Sequence, residues 1–124
     1  MMGGAKENLV KVIEKVNQNE KAQDVFVTNI SGKDVNWEIS FQFNLDNEDP
    51  FYLNIINRKG SLSDGTKSNA EIIMTGDPEA IVRISNGKGD FTHAISREQI
   101  SVVQGKVMDV VRLTRAITTA LKGK

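Results

Sequence analysis

The stretch Val35-Asn36-Trp37-Glu38-Ile39-Ser40-Phe41-Gln42-Phe43-Asn44-Leu45 alternates apolar and polar residues almost without fault. Val35, Trp37, Ile39, Phe41, Phe43 and Leu45 fall on one side and Asn36, Glu38, Ser40, Gln42 and Asn44 on the other, which is the period of a β-strand. The pattern predicts one strand over 35–45 with a dry face and a wet face. Such a strand belongs in an antiparallel sheet solvated on one side, because fully buried parallel strands read as unbroken apolar runs. Trp37, Phe41 and Phe43 are therefore expected in the core, each contributing ~1.5 to 3 kcal/mol on burial. They do not form a nucleic-acid stacking platform, since the residues between them are Glu38, Ser40 and Gln42 rather than basic ones.

Downstream, Asp46-Asn47-Glu48-Asp49-Pro50 is turn chemistry. Phe51, Leu53 and Ile55 alternate with Tyr52, Asn54 and Ile56 as a second strand that ends at the turn Asn57-Arg58-Lys59-Gly60. A weak segment around Leu62 and the turn Asp64-Gly65 lead to a third strand carrying Ala70, Ile72 and Met74, with Ile73 on its opposite face. Asp77-Pro78-Glu79 is a helix start: a carboxylate for the free amides, proline at the first helical position, and a negative charge at the positive end of the dipole. That helix turns Ala80, Ile81 and Ile84 inward and stops at Asn86-Gly87. Asp90 can cap a short helix with Phe91, Ala94 and Ile95, and Ile100 and Val102 mark a last strand that Gly105 ends.

The closing helix, over about 106–121, carries Val107, Val110, Val111, Thr114, Ile117, Thr118 and Leu121 along one stripe, with Asp109, Arg112, Arg115 and Thr119 opposite. Upstream of the opening strand, Leu9, Val12, Ile13 and Val16 recur at helical spacing over about 5–17, behind a flexible Gly3-Gly4 lead. Residues 18–30 read as a short helix or an irregular connection. The sum is an α+β fold: about five strands in a mainly antiparallel sheet, covered on one face by helices, in a single domain over 1–124.

Composition narrows the functions. In 124 residues, 39% are hydrophobic and 26% charged, a globular composition. Sixteen basic and sixteen acidic residues cancel, so no global field draws the chain to nucleic acid or an anionic bilayer. The absence of cysteine removes disulfides, thiolate metal sites and thiol catalysis. Met1-Met2-Gly3-Gly4 carries neither a secretory signal pattern nor a myristoylation glycine directly after the initiator, and Lys122-Gly123-Lys124 is no peroxisomal address. With no run approaching the ~20 apolar residues of a membrane span, a cytoplasmic protein without stable membrane insertion is expected.

Candidate chemistry is sparse. His93 is the only histidine, so imidazole pairs for zinc or acid–base work cannot form, and a packing or surface role is expected. Asp46, Glu48 and Asp49 lack the spacing of a calcium loop and read as a solvated turn. Gly87-Lys88-Gly89-Asp90 invites a phosphate-cradle reading, but it follows a helix and has neither the Walker spacing nor GxGxxG, so a cap and connector is expected.

Read in order, Asn69-Ala70-Glu71-Ile72-Ile73-Met74, Asp77-Pro78-Glu79-Ala80, Gly87-Lys88 through Asp90 to Ala94, Ile100-Ser101-Val102 and the closing helix resemble the sterol carrier protein type 2 domain. With the strands before them, the resemblance spans about 34–121. It implies a five-stranded sheet under helices, an apolar tunnel between them for sterols, fatty acids or fatty acyl groups, and no catalytic residue, cofactor or metal. The family usually has glycine just before the last strand, where this chain has Glu98, and glycine-aspartate after it, where this chain has Gln104-Gly105-Lys106.

The expected ligand walls are Val107, Val110, Val111 and Ile117 of the closing helix, with Ile81, Ile84, Phe91, Ile95 and Val102. The alternative is that these residues fill a solid core, and that the chain is an interaction or dimerisation module, monomer or homodimer. An empty hollow of ~300 Å³ at ~24 cal/mol per Å³ would forfeit about 7 kcal/mol, comparable with a whole domain's stability. A tunnel of that size is therefore expected to be occupied, watered or collapsed.

Overall fold

The computed structural model describes residues 4–122; the sequence readings at Met1-Met2-Gly3 and Gly123-Lys124 lie outside them. The elements run α1 (Ala5–Asn17), α2 (Glu20–Asp24), β1 (Val27–Ile30), β2 (Lys33–Asn36), β3 (Ile39–Leu45), β4 (Phe51–Ile56), β5 (Lys59–Asp64), β6 (Ile72–Gly76), α3 (Pro78–Ser85), α4 (Phe91–Ser96), β7 (Ile100–Gln104) and α5 (Val107–Lys122). β3 to β7 form a five-stranded sheet in the order β5-β4-β3-β6-β7, antiparallel except for the β3–β6 pair. This is the α+β, mainly antiparallel architecture the sequence implied.

One face of the sheet is apolar because its partners are. Phe41 sits opposite Leu53 and beside Ile72, and Phe43 sits opposite Phe51 and beside Met74. All six are buried and share the core with Leu9, Ile13 and Val16 of α1, Ile81 and Ile84 of α3, Phe91 of α4 and Leu113 and Ile117 of α5. Helix α1 approaches β5 closely at Gly60, where an added Cβ would lie 2.8 Å from Ile13 Cγ2. Asn17 locks that approach: its Nδ2 donates to the Gly60 carbonyl at 2.9 Å and its Oδ1 accepts the Gly60 N–H at 2.8 Å. No side chain of the preceding residue, Gly4, caps α1.

The single strand expected over 35–45 is two. Residues 33–36 pair with 27–30 in a separate two-stranded hairpin, and β3 begins only at Ile39. The break falls where the Trp37 N–H turns aside to the Phe26 carbonyl at 2.7 Å, and Trp37 packs between Phe26 and Phe41 with ring centroids at 5.8 and 6.0 Å. The stretch 18–30, read as helix or irregular connection, contains both α2 and strand β1, and the weak segment at Leu62 is a full strand.

The expected wet face of β3 is also partly dry. Ser40 and Gln42 are buried, because the connection from β5 to β6 carries no helix and passes as coil across the polar face. Gln42 holds it: Nε2 donates to the carbonyls of Phe51 and Gly65 and Oε1 accepts the Lys67 N–H at 2.7 Å. Alternation predicted the direction of these side chains correctly; their covering comes from a segment far along the chain.

Candidate functional site

Helix α3 starts as its sequence requires, with Asp77 Oδ1 accepting the Glu79 N–H at 2.9 Å and Pro78 in the first turn. It ends at Asn86, followed by Gly87 at φ 79°. The amides that a phosphate cradle would need are already committed: the Gly87 N–H donates to Ile84 O and the Lys88 N–H to Arg83 O at 2.8 Å. The 87–89 segment is therefore a helix cap and connector. Asp90 then caps α4 through the His93 N–H at 2.8 Å, and the Phe91 N–H donates to Thr114 Oγ1 of α5 at 3.3 Å.

These constraints hold the end of α3 and the 87–89 connector at a distance from the second half of α5, leaving a partly open cleft of about 330 Å³. Its apolar lining is Ile84, Ile117 and Leu121; Thr114 and Thr118 add hydroxyls, and Asn86 and Lys122 stand at the rim. The volume lies at the lower end of small-molecule pockets, ~300 to 1,000 Å³. The Asn86 amide nitrogen is occupied, donating to Asn8 Oδ1 at 2.9 Å and Val82 O at 2.8 Å. Lys122 is the one charged residue of this lining, which is otherwise apolar, hydroxyl or amide in character.

Of the nine residues expected to form walls, Ile84 and Ile117 line this cleft. Ile81, Phe91 and Val110 are fully buried in the shared core, while Ile95, Val102 and Val111 are partly covered. Val107 is 45% exposed in the first turn of α5. The buried stripe of α5 is Val110, Leu113, Ala116, Ile117 and Ala120, rotated by about a quarter turn from the stripe read in the sequence. That rotation places Thr114, Thr118 and Leu121 at the edge of the core, where they form the cleft. Two threonines four apart among apolar residues were the available signal for it.

His93 is largely solvent-exposed and lies 3.2 Å from Asp90 through Nδ1. Glu98 holds the left-handed conformation that glycine favours, with φ 62°. Gly105 has to be glycine: φ is 97° and an added Cβ would sit 2.7 Å from the Glu71 carbonyl.

With this architecture in place, comparison with known proteins gives a family. Residues 13–117 match the SCP-2 sterol transfer family, and the chain belongs to it. Solved structures share the fold at low identity. A ubiquinone synthesis protein, UbiJ-SCP2, superposes with a TM-score of 0.67 at 10% identity, covering 94% of each chain. The palmitate complex of sterol carrier protein 2 from Aedes aegypti gives 0.61 at 16% identity, covering 96% of this chain and 98% of that one. The inverting sec-alkylsulfatase Pisa1 from Pseudomonas sp. gives 0.60 at 12% identity over 76% of this chain, which spans only 14% of the sulfatase. No curated protein sequence matches the chain. None of the described helices is long and apolar enough to cross a membrane.

Proposed function

We propose that the chain is a non-catalytic, cytoplasmic carrier that binds a fatty acid, fatty acyl group or sterol, acting as a single domain without a cofactor. The observation that carries this reading is the cleft between α3 and α5, with an apolar floor of Ile84, Ile117 and Leu121 under a rim bearing Lys122. Family membership and the fatty-acid complex of the Aedes aegypti protein support the same ligand class. A chain gains ~0.8 kcal/mol per buried methylene, so a long acyl tail needs little from its headgroup.

In this proposal Ile84 and Ile117 are direct contacts. Ile81, Phe91, Ile95, Val102, Val107, Val110 and Val111 act as walls only if the ligand continues from the cleft into a tunnel between the helices and the sheet. Native mass spectrometry of freshly purified protein, followed by lipid extraction, tests the reading. A bound lipid whose occupancy falls about tenfold in Thr118→Trp, with the fold intact by circular dichroism, is expected. Protein free of lipid that also takes up no palmitate from solution overturns it.

A further inference from the structure

A second hollow adjoins the cleft, sharing Ile84 and Gly89 with it, and differs from it in charge. It measures about 60 Å³. Pockets that enclose a whole small molecule run from ~300 to 1,000 Å³, so this one suits a single compact group. Its floor is Ala80, Ile84 and Ala94, all buried. Above the floor stand Arg83 of α3, Lys88 of the connector and Arg97 at the end of α4. Local bonds set these three around one point. The Lys88 N–H donates to Arg83 O at 2.8 Å and folds the connector back on α3, while the Arg97 N–H donates to His93 O at 2.9 Å and the Gln99 N–H to Ala94 O at 2.8 Å. Gln99 then ties the two halves together, its Oε1 accepting from Arg83 Nη2 at 3.2 Å.

The charges around this hollow do not balance. Asp90 is the one carboxylate of the lining, so three permanent cations face a single anion, and a protonated His93 would add to the excess. Lys6–Asp64 and His93–Asp90 are the ion pairs within 4.0 Å among the described residues, so Arg83, Lys88 and Arg97 have no carboxylate partner at that distance. Glu79, one turn before Arg83, and Glu98, next to Arg97, stand outside the lining. Their charges act on a guest in the hollow from farther away than the three cations do, and Coulomb energy falls with distance. Like charges gathered over a buried apolar floor repel one another, and an anion between them relieves that repulsion.

We propose that this hollow binds a phosphate monoester dianion, carried by a soluble molecule or by a lipid headgroup, between Arg83, Lys88 and Arg97. A phosphate monoester brings close to two negative charges at neutral pH and three strong acceptor oxygens, where a carboxylate brings one charge and two oxygens. Arg83 spends one of its five N–H donors on Gln99 and keeps the others, in a fork already oriented by that bond. Recognition is by side chains, because the amides of Gly87 and Lys88 are committed to the end of α3. The site requires nothing of the adjoining cleft, which can be empty or filled while the anion binds.

Titration of the full chain with inorganic phosphate at neutral pH and constant ionic strength, followed by amide chemical shifts, tests it. Saturable shifts should centre on 83, 88–90 and 97–99, with no matching response to chloride. Arg83→Gln with Lys88→Gln should weaken binding about tenfold or more, and Arg97→Gln about threefold or more, through loss of charge-assisted contacts. Asp90→Asn keeps a capping oxygen for the His93 N–H and removes the opposing charge, so it should tighten binding about threefold. Lys11→Gln, on the exposed side of α1, should bind as wild type. Melting temperatures confirm that each variant folds. Glycerol 3-phosphate and its 1-palmitoyl ester then separate the sources: equal affinity assigns the site to soluble phosphate esters, and a palmitoyl form bound at least tenfold tighter assigns it to a headgroup whose chain enters the cleft. Absence of saturable shifts, a chloride response equal to that of phosphate, or unchanged binding by the Arg83 and Lys88 double variant overturns the proposal.

Discussion

Gln42, on the central strand, accepts the backbone N–H of Lys67 at 2.7 Å while fully buried, so a single side chain from β3 determines where the chain crosses from β5 to β6. Replacing it with leucine keeps the volume but leaves the Lys67 N–H and the Gly65 and Phe51 carbonyls without this partner. A buried unsatisfied group costs about 1 to 3 kcal/mol. Gln42→Leu is expected to lose about 2 to 4 kcal/mol in urea unfolding, with the largest rise in amide exchange over 65–71.

The closeness of α1 to β5 depends on a missing side chain. Gly60→Ala would drive a methyl into Ile13 Cγ2, and overpacking of this kind costs about 1 to 3 kcal/mol. The double variant with Ile13→Ala should lose less than the sum of the two single losses, because the second change vacates the space the first one needs. Thermal unfolding of the four proteins measures the coupling.

Glu48 predicts a pH effect. Partial burial pushes its carboxyl above the usual glutamate range, the nearby Glu7 and Glu79 add to the rise, and the Ala5 N–H opposes it. A folded-state value above the unfolded one means the native protein holds the proton more tightly. The group's contribution to stability is present below the unfolded value and is lost as pH rises through the folded value. Glu48→Gln retains an oxygen for the Ala5 N–H and removes the charge. It should raise the melting temperature slightly at neutral pH, with the gain vanishing in acid where Glu48 is protonated in both states.

Glu98 holds φ 62° without being glycine. A side chain in this region costs roughly 1 to 2 kcal/mol, part of which glycine returns to the flexibility of the unfolded chain. Glu98→Gly should therefore stabilise the protein by roughly 0.5 to 1 kcal/mol in denaturant unfolding.

Arg112 covers the Trp37 ring and reaches Thr28. Arg112→Ala removes a partly buried cation–π contact worth ~0.5 to 2 kcal/mol and frees the hairpin from α5. Trp37 fluorescence should shift to longer wavelength, and exchange in 27–36 should rise more than exchange in β3.

The elements that declared themselves in sequence were those with local causes. Asp77-Pro78 and Asp90 cap their helices through bonds within three residues, and the two-residue turn at Asn57 and Arg58, both at positive φ, needs only its own backbone. What stayed hidden depends on distant partners. Alternation runs unbroken from Val35 to Leu45 because both β2 and β3 have a period of two, and the period does not name the strand each will pair with. Likewise α5 has apolar or small residues around much of its circumference, so Leu113, Ala116 and Ala120 turn inward only because α1, α2 and α4 lie on that side. Two of the nine anticipated wall residues reach the cleft for the same reason: a stripe marks what is apolar, and the neighbouring helices decide which part of it is covered.

The crossover that Gln42 fixes also sets an order of assembly. Strands β3, β4 and β5 follow one another through tight turns and can form with little loop-closure entropy, whereas β6 finds β3 only after the chain has crossed two strands. The acceptor that receives Lys67 does not exist until Gln42 is presented on a formed meander. The meander therefore has its covering helix α1 before it in the chain and its parallel partner β6, with the helices α3 and α5 that shape the cleft, after it, so a ribosome releases the local half of the sheet before the half that must find it across two strands.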